Sequence, residues 1–118
     1  MHVAVSEDEG ATWRESTLGD DAPGASASIS PRLAADDSGR LGVAWLDARG
    51  GDYSPWFATL AGSAWSDAIP LDDPVDDTTA STDLSLAATG QGRWFAAWRE
   101  APSADDLLGR LLTADIAL

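Results

Sequence analysis

Short apolar runs alternate with turns rich in glycine and aspartate along this chain. Apolar stretches at residues 33–35 and 41–46 flank the polar turn Asp36-Asp37-Ser38-Gly39-Arg40. A second pair, 86–88 and 93–98, flanks Thr89-Gly90-Gln91-Gly92. Each pair reads as two antiparallel strands joined by a glycine-containing turn. The two pairs superpose at a constant offset of 53 residues, with Trp45 falling on Trp98 and Asp47 on Glu100. Residues 5–13 match 57–65 at an offset of 52, with Gly10 on Gly62 and Trp13 on Trp65. Repetition at that period predicts an all-β protein built from similar sheet units, each burying its apolar face against the next.

The most specific local pattern is Ser6-Glu7-Asp8-Glu9-Gly10-Ala11-Thr12-Trp13. Asp8 is placed to accept hydrogen bonds from backbone N–H groups further along the turn. Gly10 suits a position of positive φ. Trp13 is expected to lock the hairpin onto its neighbours; if buried, its truncation to alanine would cost about 3–5 kcal/mol. The copy at 57–65 keeps the glycine and the tryptophan but has Ala58, Leu60 and Ala64 in place of Ser6, Asp8 and Thr12.

The run S-x-D-x-G-x-T-W resembles the Asp-box, or bacterial neuraminidase repeat, of the sialidase-like β-propellers. The resemblance covers most of residues 2–100. It implies an incomplete β-propeller of four-stranded antiparallel blades, with strands A to D running outwards from the axis. The chain then divides into three parts. Residues 2–20 are a C–D hairpin carrying the box. Residues 30–73 are a complete blade, with A at 32–36, B at 41–46, C at 55–60 and D at 64–71. Residues 82–118 are a partial blade, with A at 84–88, B at 93–99 and C at 108–113. Leu107, Leu108, Leu111 and Leu112 also recur at helical spacing, so a helix is the alternative for the last segment. Propellers close with about 4 to 8 blades. Such a unit therefore needs further blades, or copies of itself, to close a ring.

Charge narrows the partners. The 118 residues include 20 acidic and 7 basic ones, every basic one an arginine, for a net charge of −13. That balance argues against nucleic acid and anionic membrane surfaces. There is no cysteine, so disulfide and thiolate chemistry are excluded. His2 is the only histidine, which rules out a Ser-His-Asp triad and a histidine-rich zinc site. The N-terminal residues show no signal-peptide pattern. A secreted or cell-surface location follows from the resemblance alone. No cofactor is expected. The acidic run Asp72-Asp73-Pro74-Val75-Asp76-Asp77 offers oxygen ligands for Ca²⁺ but lacks the EF-hand pattern, and a solvated loop is the plainer reading.

In antiparallel blades the A–B and C–D turns share one face, and the B–C and D–A loops share the other. The Asp-box residues Ser6, Asp8, Gly10, Thr12 and Trp13 are therefore structural, and the turn at Asp36 and Asp37 lies with them. The opposite face carries the weak catalytic candidates: Arg32 at the start of an inner strand, Asp47, Arg49, Tyr53, Arg99 and Glu100, with Asp52 in the same loop as Tyr53. Sialidases use an arginine cluster for the substrate carboxylate, a Tyr–Glu nucleophile pair and an aspartate acid/base. Arginine suits carboxylate because its planar fork binds both oxygens. Tyr53 has no evident Glu partner, and Asp47 with Arg49 reads more simply as a local ion pair. Trp45 and Trp98 read as packing between blades. Acids at 20, 21, 72, 73, 76, 77, 105 and 106 would collect on this face and repel an anionic sugar.

The expectation is a non-catalytic segment with a structural, glycan-binding or protein-binding role. The alternatives are a fragment of an exo-α-sialidase and a self-assembling propeller lectin.

Overall fold

The computed structural model describes residues 1–18, 27–72, 80–101 and 110–117. All regular structure among them is β. A two-stranded hairpin pairs β1 (His2–Val5) with β2 (Arg14–Thr17). The middle sheet runs β3 (Ser28–Ala35), β4 (Leu41–Asp47), β5 (Ser54–Ala61), with β5 completed by two short strands, β6 (Ala64–Trp65) and β7 (Ile69–Pro70). The last sheet has β8 (Ser81–Gly90) and β10 (Arg110–Ala117) on either side of β9 (Arg93–Glu100). Every pairing is antiparallel between sequence neighbours, apart from β5 with β7.

Strand β4 explains how the sheets meet. It is buried on both faces, so its sequence reads as a continuous apolar run. Ala44 and Leu46, with Phe57 of β5, pack against Leu84, Trp94, Ala96 and Trp98 of the last sheet. Val43 and Trp45 point the other way and pack with Ala58, Leu18 and the half-buried Met1 and Val3 of the hairpin end. The hairpin and the last sheet thus cover opposite faces of the middle sheet. Strand β8 lies close to β3 and β4 and barely touches β5. The indoles of Trp94 and Trp98, carried on β9, fill the space beyond.

The sequence repeat is reproduced in backbone detail. Ser30 and Asp83 both have positive φ, 54° and 55°, and each sits at a register shift near the start of its strand. Gly39 and Gly92 occupy matching turn positions at φ 82° and 76°. Gly10 and Gly62 are likewise both positive, at 91° and 63°. The bond from Ala48 N–H to the Ala27 carbonyl is repeated by Ala101 N–H to the Ala80 carbonyl.

Several expectations need correction. β3 begins at Ser28 and β8 at Ser81, earlier than the apolar pattern predicts. A bulge at Ser30 or Asp83 lets pairing continue where alternation breaks. Arg32 is consequently inside β3 and not at its start. The expected D strand at 64–71 is split, because Ser66 Oγ accepts the Thr59 N–H at 3.0 Å and one extra residue intervenes before β7. The last segment is the expected strand, at Arg110–Ala117, and not the alternative helix; its register with β9 is unbroken. Trp13 is 62% exposed, so it does not lock the hairpin onto a neighbour.

Candidate functional site

The ends of β4 and β9 and the starts of β3, β5 and β8 gather at one end of the sheets. Ser28 pairs with Asp47, Asp47 with Ser54, and Ser81 with Glu100. The Ser81 N–H donates to the Tyr53 carbonyl at 2.7 Å and ties the middle and last sheets together there. The N-terminal ammonium lies 3.5 Å from Ser28 Oγ, and the Leu18 N–H donates to the Met1 carbonyl. The open end of the hairpin is therefore at this same end, and the turn at 6–13 is at the other.

Asp47 organises this end. Its side chain is wholly buried. Oδ2 accepts from Ser28 Oγ at 2.9 Å, Trp45 Nε1 at 3.2 Å and Arg49 Nη2 at 2.8 Å. Oδ1 accepts from the Arg49 N–H at 2.9 Å and Arg49 Nε at 3.1 Å. The Arg49 guanidinium also stacks 3.9 Å from the centre of the Trp56 ring. Five donors on a buried carboxylate, with its cation held on an indole face, describe a closed structural cluster.

Among the described residues, the other candidates are not brought together into one cluster. Arg32 is exposed and donates to the carbonyl of its neighbour Pro31 at 2.9 Å. The Tyr53 ring packs against the core between the middle and last sheets. Its hydroxyl bonds no carboxylate among the described residues. Asp52 and Arg99 are exposed, whereas Glu100 is buried. Of the acids expected to crowd this end, only Asp72 falls in the described residues; those at 20, 21, 73, 76, 77, 105 and 106 lie outside them. Among the described residues, no group of three or more potential ligands is placed to hold a metal ion.

The opposite end is built on two aspartate-centred turns. In the turn at 6–13, Asp8 Oδ1 accepts from Ser6 Oγ at 2.9 Å and from the Thr12 N–H at 2.8 Å, while Oδ2 accepts from Thr12 Oγ1. Ser6 Oγ in turn accepts the Gly10 N–H at 2.7 Å. The Trp13 indole donates to the Gly10 carbonyl at 3.2 Å. The Thr12 hydroxyl, then the Thr12 N–H, hold the Asp8 pKa below its ordinary value. In the β3–β4 turn, Asp36 Oδ1 accepts from Ser38 Oγ, the Ser38 N–H and the Arg40 N–H, and Oδ2 from Arg40 Nε at 3.0 Å. These contacts, led by the Ser38 hydroxyl, bring the Asp36 pKa down to about 2. The Arg40 guanidinium then reaches over Trp94, 5.9 Å from the ring centre, beside Gly92 of the next turn.

Ser28, Ser81 and Trp56 were not singled out by pattern. The 53-residue offset, extended five residues before Leu33, would have paired Ser28 with Ser81. Trp56 as a seat for Arg49 has no sequence signal, since it depends on cross-strand register. Comparison of the chain with family models, with characterised proteins and with solved structures finds no match.

Proposed function

We propose that the chain is a sialidase-like β-propeller segment that acts as a non-catalytic scaffold, with a structural, glycan-binding or protein-binding role. The observation that carries this reading is the consumption of Asp47 and Arg49 by the buried cluster with Ser28, Trp45 and Trp56. The acid and the arginine best placed for glycoside chemistry are engaged with each other.

The blade reading draws support from the repeated bulges, turns and tryptophans of successive sheets. Exposure adds to it. Leu33 is 63% exposed, whereas its repeat equivalent Leu86 packs in the core between sheets. Trp13 is exposed, whereas its equivalent Trp65 packs against the hairpin side of the middle sheet. Both mark places where a preceding blade would sit.

The test is hydrolysis of a fluorogenic α-sialoside by the purified chain. The scaffold reading expects no release above buffer. Release that disappears in Asp47→Asn would overturn it in favour of the exo-sialidase alternative.

A further inference from the structure

Strand β9 alternates strictly. Trp94, Ala96 and Trp98 turn inwards to the core, and Arg93, Phe95, Ala97 and Arg99 turn outwards. Its repeat counterpart β4 is buried on both faces. At the 53-residue offset Phe95 falls on Gly42, and the Trp94 indole covers Gly42. Phe95 itself is 42% exposed, and Ala87, its direct partner on β8, is exposed beside it. The reverse holds on the far side of the middle sheet. Leu33 pairs with Val43 and so faces the hairpin side, where it is exposed although its counterpart Leu86 packs between sheets. One chain thus presents two different uncovered apolar surfaces, one at each end of the stack of sheets.

Charge is divided in the same way. The outward side chains of β9 include two arginines and no acid. The hairpin region, residues 2–17, carries Glu7, Asp8, Glu9 and Glu15 against Arg14. Its open end sits beside β3, where the Met1 ammonium lies 3.5 Å from Ser28 Oγ. At a net charge of −13 two copies repel each other unless a contact brings these arginines towards acids.

We infer that a second copy of this chain covers Phe95. The outer face of the last sheet of one copy, at Phe95 and Ala87, docks on the hairpin-side flank of the middle sheet of the next, at Leu33. Arg93 and Arg99 turn towards the acids of that copy's hairpin. Apolar burial drives the contact, and opposite charge sets its orientation. The two surfaces differ and each copy carries both, so the contact is head-to-tail and extends to a ring or a filament. This inference rests on the proposed reading of Leu33 as a place made to be covered, and it names what covers it.

The experiment is light scattering on Phe95→Asp and Leu33→Asp, each alone and then mixed in equal amounts, at a concentration where the native chain associates. Far-UV circular dichroism on each peak checks that the variants fold, and Ala87→Asp is a second disruption of the Phe95 face. Each variant alone lacks one of the two surfaces and is expected at the mass of one chain. The mixture retains one intact surface of each kind and is expected at the mass of two chains, with nothing larger. A variant that associates alone as the native chain does overturns the head-to-tail contact, and so does a mixture that stays at the mass of one chain. Association lost in Leu33→Asp but kept in Phe95→Asp and Ala87→Asp overturns this inference and leaves the proposed reading standing. A native chain that never associates contradicts both.

Discussion

Arg49 Nη2 lies 2.8 Å from Asp47 Oδ2, and the carboxylate it meets is wholly buried. Removing the acid strands a serine hydroxyl, an indole N–H and a guanidinium together. Asp47→Ala is expected to cost about 3–5 kcal/mol, the scale for breaking a buried charge pair. Urea unfolding followed by tryptophan fluorescence measures it. A loss below about 1 kcal/mol would mean that the cluster is not the structural centre described above.

At Gly42 the Trp94 indole of the last sheet packs directly on the backbone of the middle one. A Cβ there would stand 2.6 Å from Trp94 Nε1, 2.8 Å from Trp94 Cδ1 and 3.0 Å from Phe57 Cε2. All three atoms belong to side chains packed in the core, so little can give. Gly42→Ala should destabilise by about 1–3 kcal/mol through overpacking. Thermal unfolding of this variant, with Gly50→Ala as a control in open space, separates a packing effect from a general glycine effect.

The depressed pKa of Asp36 makes a statement about acid. The hydrogen bonds of the folded turn hold the group at about 2, against an ordinary value of 3.8. The folded state therefore binds fewer protons than the unfolded one between those values. The stability Asp36 contributes is complete above pH ~4 and is lost as pH falls towards 2. Asp8 works in the same direction. Denaturation midpoints at pH 5, 4, 3 and 2 should fall less steeply in Asp36→Asn than in the native chain. Parallel profiles would remove Asp36 from the account.

The turn at 6–13 is exposed, so its contribution is local. Asp8→Ala removes the acceptor of the Thr12 N–H. Amide exchange at Thr12 should speed up by roughly fivefold to tenfold, the loss of one ordinary hydrogen bond, while exchange in β4 stays unchanged. At dilutions where the chain is a monomer, Trp13→Ala should cost no more than about 0.5–1 kcal/mol, as expected for a mostly exposed side chain. A cost of several kcal/mol in the monomer would mean that Trp13 is packed within the chain itself.

Periodicity makes the sheet units and the matching turns legible, because Gly39 and Gly92 mark the same backbone need. Strand starts were harder. The bulges at Ser30 and Asp83 interrupt alternation without ending the pairing, and no residue type announces them. At the candidate site, Asp47 and Arg49 were readable as a local pair because they are close in sequence. Trp56 and Ser28 join them only through register across β3, β4 and β5, which a linear pattern does not carry. The exposure of Trp13 was misread because a tryptophan after a tight turn normally packs on a neighbouring element, and here that side is open.

The proposed function requires the exposed apolar residues Trp13 and Leu33 to be covered by further sheets or by copies of the chain. Light scattering on a sizing column over a concentration series, with far-UV circular dichroism on each peak, tests it most directly. The account predicts a β-rich species whose molar mass exceeds that of one chain and rises with concentration, with the rise reduced in Leu33→Asp. A β-rich species that stays at the mass of one chain at every concentration would contradict it.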